Sequence, residues 1–149
     1  KVNVLAKVKK LLALKKVNIF SDIPDHILAD IAKIIDVVEF QKGDQFIKQG
    51  EIGQYLYIIR KGSVSVHVGD HRLADLKEND IVGELSVLAP IKRTADVTAT
   101  EDIILYRIER EYFLELLVEE PEIMKAILKV LVYRINNLNQ RINSTESNS

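Results

Sequence analysis

The glycines of this 149-residue chain are confined to one stretch. All six lie from Gly43 to Gly83, separated by short runs rich in Val, Ile, Tyr and Phe. Glycine supplies the positive φ angles that tight turns require, because it has no side chain to clash. Between these turns, polar and apolar residues alternate in Ser63–Val68, which is typical of a half-buried strand. The pattern therefore predicts short antiparallel strands joined by glycine turns.

Seven strands are predicted in and after this stretch. They cover Val37–Phe40, Gln45–Lys48, Tyr55–Arg60, Ser63–Val68, Arg72–Leu76, Thr94–Ala99 and Ile103–Glu109. The dipeptide Gly69-Asp70 predicts a hairpin loop between two of them. Regular short strands with turn signals favour a sandwich or barrel of the jelly-roll kind.

Helical patterns flank the β region on both sides. Before it, apolar residues recur at helical spacing in the first twenty residues, including Val4, Val8 and Leu12, and again after Pro24. After it, one helix is expected over Glu111–Val118 and a longer one from Pro121. The last apolar positions of the long helix are spaced like a narrow seam. The fold class is therefore predicted to be mainly β with flanking helices, a jelly-roll β-barrel (double-stranded β-helix).

Three segments are expected along the chain. They are a basic N-terminal helix or linker at 1–17, one domain at 18–142, and a polar, disordered tail at 143–149. The first segment has six lysines and no acid, so it either docks on the domain or lies on a membrane surface. The chain starts at Lys1 without an initiator Met, so we expect a piece of a longer protein. Without a signal-peptide pattern or a membrane-spanning run, a cytoplasmic or cytoplasm-facing location is expected.

Composition narrows the function classes. The 21 basic and 22 acidic residues leave a formal net charge of -1, which argues against a broad nucleic-acid-binding surface. There is no cysteine for a disulfide, a thiol nucleophile or a Cys-based metal site. The three histidines, His26, His67 and His71, are too few to predict a metal-dependent jelly-roll enzyme. We therefore expect neither an enzyme nor a bound metal.

The segment from Gly83 to Val97 carries the groups of a small-anion site. Gly83 permits close approach of the backbone, and the residues after it would form one helical turn with free N–H groups. Arg93 offers a rigid charged fork for a phosphate, and Glu84 an acceptor for a sugar hydroxyl. From these residues alone two interpretations stay open. One is a site for a phosphorylated sugar, and the other is a solvated loop in which Glu84 pairs with Arg93.

Two parts of this segment resemble the phosphate-binding cassette of cyclic nucleotide-binding domains. They are Gly83-Glu84-Leu85-Ser86-Val87 and Arg93-Thr94-Ala95. Such domains occur in catabolite activator proteins, protein kinase A regulatory subunits and cyclic-nucleotide-gated channels. The turn glycines in Lys42-Gly43-Asp44 and Gln49-Gly50-Glu51 match the family as well. The resemblance covers residues 18–142 and implies a regulatory sensor domain that binds cAMP or cGMP, without a further cofactor.

The resemblance implies a role for each matching residue. Arg93 would pair with the exocyclic oxygens of the cyclic phosphate, and Glu84 would accept from the ribose 2′-hydroxyl. The residues expected at the ligand are Gly83, Glu84, Leu85, Ser86, Arg93, Thr94 and Ala95. The residues expected around the base are Val66 and Leu73, with Tyr133, Arg134 and Leu138 on a lid formed by the last helices.

Two residues depart from the family pattern. Lys92 stands where the family usually has Pro, and Asp96 stands where a small residue is common. An acid near the phosphate would weaken anion binding if it pointed inward, whereas strand alternation would turn it outward. A degenerate domain that acts as a structural or interaction module without a ligand therefore stays open beside the sensor.

The expected partners follow from the resemblance. They are a cyclic nucleotide, an effector domain outside this chain, and a second copy of the chain bound through the last helix. No helix-turn-helix follows the long helix, so no DNA contact by this fragment is expected. The choice between cAMP and cGMP stays open, because a hydroxyl such as that of Thr94 occurs in binders of both.

Overall fold

Eight strands form two antiparallel sheets in the part of the chain that the structure, a computed structural model, describes. That part comprises residues 2–83, 89 and 91–147. The strands are β1 Ile35–Phe40, β2 Gln45–Ile47, β3 Tyr55–Lys61, β4 Val64–Val68, β5 His71–Leu76, β6 Ile81–Val82, β7 Asp96–Ala99 and β8 Ile103–Glu109. The first sheet has the order β1-β8-β3-β6 and the second has the order β2-β7-β4-β5.

The helices lie before and after the strands. They are α1 Val2–Lys15, a short 3-10 helix Asn18–Phe20, α2 Asp25–Lys33, α3 Arg110–Glu119 and α4 Pro121–Ser147. Pro24 immediately precedes α2, and Pro121 is the first residue of α4, where its missing N–H costs no hydrogen bond. None of the described helices is both long and apolar enough to cross a membrane.

Two apolar cores lie on opposite faces of the first sheet. Ile59 and Leu105 pack toward the second sheet with Val64 and Val97. Leu56 and Ile58 pack on the other face, against the helices. Because β3 is covered on both faces, its apolar residues form a continuous run rather than an alternating one. The predicted fold class, a jelly roll with flanking helices, is confirmed.

The strand predictions agree with the structure to within two residues at every end. Strand β6 was not predicted, because its two residues are too few to show alternation. The helical spacing of apolar residues in α1 did not predict which of its faces contacts the domain. Ala13 and Leu14 are buried in the helical core, whereas Val4 and Val8 are exposed. Both sides of α1 are apolar, so periodicity alone could not select the side that docks.

The long helix differs from its prediction at the C-terminal end. A disordered tail was expected at 143–149, but α4 continues to Ser147. The expectation is wrong for 143–147, because extending a formed helix costs much less than starting one, even through polar residues. The start of α4 is anchored by the buried side chains of Ile123 and Ile127, whereas Ile135, Leu138 and Ile142 are exposed.

Candidate functional site

A cavity of about 290 Å³ lies between the second sheet and β6 of the first sheet. Its volume is close to the lower limit of about 300 Å³ for small-molecule pockets. One part of its wall is apolar and includes Val66, Leu76 and Val97. Another part is polar and includes Gly83 and Arg93. Thr94, Ala95 and the exposed Lys92 also line it. The cavity therefore suits a ligand with an apolar body and an anionic group.

The guanidinium group of Arg93 lies directly against the backbone of Gly83. Gly83 has a φ of +93°, a conformation that residues with a side chain rarely adopt. A Cβ atom at this position would collide with Nη1 of Arg93. The backbone angle therefore favours glycine here, and a Cβ would also force the guanidinium group of Arg93 to move.

The loop between β2 and β3 holds both the main chain and the side chain of Arg93. The N–H of Arg93 donates to the carbonyl of Glu51 at 2.7 Å, and the N–H of Gly50 donates to the carbonyl of Arg93 at 2.8 Å. The Nη2 atom of Arg93 donates to the carbonyl of Tyr55 at 2.6 Å. Residues 50–55 therefore hold the main chain of Arg93 and supply one acceptor for its guanidinium group.

Aromatic and cationic side chains surround this arginine on the side of β3. The rings of Tyr55 and Tyr57 have centroids 6.0 Å apart, and the guanidinium of Arg107 lies 4.4 Å from the centroid of the Tyr55 ring. Burial raises the pKa of Tyr57, although the positive charges of Arg107 and Arg93 oppose the shift. Tyr57 is therefore neutral at pH 7.

The acid at position 96 lies on the outer face of the second sheet. In β7, Val97 and Ala99 are buried, whereas Asp96 and Thr98 are partly exposed on the opposite face. The Asp96 carboxylate accepts a hydrogen bond from the N–H of Gln49 at 2.7 Å. It therefore points away from the cavity, which is the outward orientation that strand alternation allowed.

Comparisons with known proteins decide the family. The sequence model described as "Cyclic nucleotide-binding domain" matches residues 37–120, more than half of the chain. The chain belongs to the cyclic nucleotide-binding domain family. The family resemblance is thereby confirmed.

Relatives and solved structures of this family cover most of the chain. A CRP-like cAMP-activated global transcriptional regulator from Mycobacterium tuberculosis is 28% identical over 137 residues, 87% of this chain and 60% of the relative. The potassium/sodium hyperpolarization-activated cyclic nucleotide-gated channel 2 of Mus musculus is 31% identical over 79% of this chain. The chain spans only 14% of that channel.

A solved structure supports the same fold. It is the N-terminal domain of a transcriptional regulator from Streptomyces coelicolor A3(2), with a TM-score of 0.75 and 25% sequence identity. The match covers 87% of this chain and 93% of that domain. The two therefore share a complete domain rather than a local motif.

The cyclic nucleotide-binding domain brings five of the predicted ligand residues to one cavity. They are Val66, Gly83, Arg93, Thr94 and Ala95. Glu84, Leu85 and Ser86 lie outside the described residues, so their predicted contacts stay predictions.

Leu73 does not line the described cavity and is 53% exposed. Val64 pairs with Leu76 and Val66 with Ala74, and the register of β4 and β5 shifts between Val66 and His67. Leu73 is the additional residue on β5 at this shift, and Leu76 lines the cavity instead. Simple alternation could not predict this irregularity, because the additional residue interrupts the period of two.

The predicted lid residues also lie elsewhere. Tyr133 and Arg134 line a separate groove between α4 and the 3-10 helix, and Leu138 is exposed further along α4. Among the described residues that line the cavity, none belongs to α4. These three residues therefore lie outside the described lining of the cavity, and their contact with the base stays a prediction.

Proposed function

We propose that this domain binds a cyclic nucleotide, cAMP or cGMP, and does so without chemical turnover. The observation that supports this most directly is the position of the Arg93 guanidinium, against Gly83 and in the wall of a cavity that is otherwise largely apolar. Arg93 would pair with the cyclic phosphate, and the apolar wall with Val66 and Leu76 would contact the base. Glu84 would accept from the ribose hydroxyl, as the family resemblance implies.

The proposed output is a movement of α4. Its first turns are anchored in the helical core by Ile123 and Ile127, whereas its later turns are exposed and lie away from the cavity. A ligand that binds one position of α4 more tightly shifts the population toward that position. An effector domain joined to this chain would receive the shift, and a cytoplasmic location belongs to the same proposal because an intracellular messenger is its ligand.

A second copy of the chain is the proposed partner of α4. Apolar residues recur along the helix with spacings of three and four residues, at Leu128, Leu131, Ile135, Leu138 and Ile142. All of them are exposed except Leu131, which is partly buried against the helical core. In this pattern Ile135 and Ile142 occupy one core position and Leu131 and Leu138 the other, which favours a parallel two-stranded coiled coil. The dimer would join two sensor domains through the helices that carry the signal.

The second candidate function is an interaction module without a ligand. The observation that favours it is the bond from Arg93 to the carbonyl of Tyr55, because the cation then has an acceptor within the domain. In such a module Arg93 would stabilise the fold and would have no ligand to bind.

Thermal melting separates the two candidates. The protein is melted alone and with cAMP, cGMP or 5′-AMP, and each ligand is tested on Arg93→Ala and on Arg72→Ala. Arg72 is the matched control, since it is an exposed arginine on β5 outside the described cavity lining. A ligand at ~100 times its Kd adds about 2.7 kcal/mol, which corresponds to about 5–10 °C for a domain of this size.

We expect a cyclic nucleotide to raise the melting temperature of the wild type and of Arg72→Ala but not of Arg93→Ala. No shift with either cyclic nucleotide at millimolar concentration would favour the interaction module. An equal shift with 5′-AMP would show that the cavity does not select a cyclic phosphate.

A further inference from the structure

The side chain of Asp96 binds the loop between β2 and β3. Its Oδ1 atom accepts from the N–H of Gln49 at 2.7 Å. The next residue, Gly50, donates to the carbonyl of Arg93, and Arg93 is only three residues before Asp96. The N–H of Arg93 in turn donates to the carbonyl of Glu51. The Asp96 carboxylate and these two main-chain hydrogen bonds therefore connect the segment from Arg93 to Asp96 with the β2–β3 loop.

The loop needs such a tie because its own hydrogen bonds are weak. Gly50 has a φ of +90°, and the turn closes by a long bond of 3.3 Å from the N–H of Glu51 to the carbonyl of Lys48. Three bonds that leave the loop are shorter, at 2.7 and 2.8 Å to Arg93 and at 2.7 Å to Asp96, whereas the bond from the N–H of Gly53 to the carbonyl of Ile91 is 3.4 Å long. The loop is therefore held by β7 and the residues before it more than by itself.

The neighbour of the Asp96 carboxylate on the adjacent strand is a histidine. His67 lies beside it on β4, with Nδ1 3.9 Å from Oδ2 of Asp96. The two ring nitrogens of His67 lie 2.8 Å from the carbonyl of Gly69 and 2.8 Å from the hydroxyl of Thr98. The imidazole is thus held by other partners, and Oδ1 of Asp96 accepts from the loop.

We infer that Asp96 is a positioning residue for the anion site. It accepts from Gln49 and so holds the loop that clamps the main chain of Arg93, and through Arg93 it keeps the guanidinium against Gly83. Because Tyr55, the acceptor of Nη2, ends the same connection, a loosened loop would misplace the main chain and the side chain together. This inference rests on the proposed function only for its effect on ligand affinity.

Amide hydrogen exchange on the unliganded protein tests the positioning directly. Asp96→Ala removes the acceptor, Asp96→Asn keeps a carbonyl oxygen at nearly the same place, and Asp75→Ala removes an exposed acid of β5 as the control. A hydrogen bond to a charged group at a partly exposed site corresponds to about a tenfold change in an opening equilibrium. We expect the amides of Gly50 and Arg93 to exchange about tenfold faster in Asp96→Ala and within about threefold of the wild type in the other two variants.

A local role would give a different pattern. If Asp96→Ala accelerates the exchange of the Gln49 amide alone, or of no amide in the loop, the positioning role is overturned. Asp96→Asn with the same acceleration as Asp96→Ala would also overturn it, because the carbonyl acceptor would then be insufficient. Asp96→Glu, which keeps the charge and moves the carboxylate by one methylene, replaces Asp96→Ala if that variant does not fold, with the same expected acceleration.

Calorimetric titration with cAMP and cGMP tests the consequence for binding. We expect Asp96→Ala to bind about tenfold more weakly and Asp96→Asn to keep most of the affinity. Tighter binding by Asp96→Ala would overturn the inference, because the carboxylate would then be repelling the phosphate. If the wild type binds neither nucleotide, the proposed function fails, and the exchange of Gly50 and Arg93 alone decides the role of Asp96.

Discussion

Substitution of Gly83 by alanine tests the packing of Arg93 against the backbone. Gly83 and Gly43 have the same φ of +93°, but their surroundings differ. A Cβ at position 83 meets the Arg93 guanidinium, whereas a Cβ at position 43 meets no described atom within 4 Å. Gly43→Ala is therefore a control for backbone strain without the collision.

The two variants are expected to differ in their free energy of unfolding. A side chain in the left-handed region costs about 1–2 kcal/mol in both variants. In Gly83→Ala the guanidinium must also move, and the loss of its bond to the carbonyl of Tyr55 costs about 1.5–3 kcal/mol more. We expect Gly83→Ala to unfold about 2 kcal/mol more easily than Gly43→Ala in urea denaturation.

Removal of the arginine completes this test. In an Arg93→Ala background no guanidinium opposes the new Cβ, so Gly83→Ala and Gly43→Ala should then cost the same. Equal destabilisation by the two substitutions in the wild-type background would refute the reasoning, because Arg93 would have moved aside without losing a bond. Unequal costs that persist in the Arg93→Ala background would assign the difference to another contact of Gly83.

Two further predictions concern the helices. Leu14→Ala should lower the free energy of unfolding by about 2–5 kcal/mol, because Leu14 is 0% exposed, while Leu12→Ala should change it by less than about 0.5 kcal/mol because Leu12 is 54% exposed. Equal losses would contradict the docking face of α1. Ile135 is 57% exposed on the apolar seam of α4, so Ile135→Asp should convert the dimer to a monomer in analytical ultracentrifugation. The melting temperature of the monomer should stay unchanged, and the control variant Asn136→Asp should remain dimeric. A wild type that is monomeric at all concentrations would rule out the dimer.

Most of the fold was predictable because burial on one side of a strand leaves alternation in the sequence. The run Leu56–Ile59 does not alternate, because it is apolar throughout. Its two faces are buried in different cores. Residues near an irregularity were not predictable in this way. Leu73 was expected beside the base, but the register shift between β4 and β5 brings Leu76 to the cavity instead.

The candidate site was predictable where side chains carry the chemistry. Gly83 and Arg93 are recognisable because a positive φ and a bidentate cation require particular residue types. The acceptors and donors that orient Arg93 are main-chain groups of Gly50, Glu51 and Tyr55. Every residue has such groups, so no residue type could reveal them before the strands were placed in space.

The position of the site between the sheets explains why so few residues control it. Gly83 follows β6 of the first sheet, and Arg93 precedes β7 of the second. The loop that holds Arg93 runs from β2 of the second sheet to β3 of the first, so it spans the same junction. Asp96 acts on this arrangement from the outer face and Gly83 from the inner one. Substitutions at either residue should therefore displace one guanidinium, by loosening its support or by filling the space that it occupies.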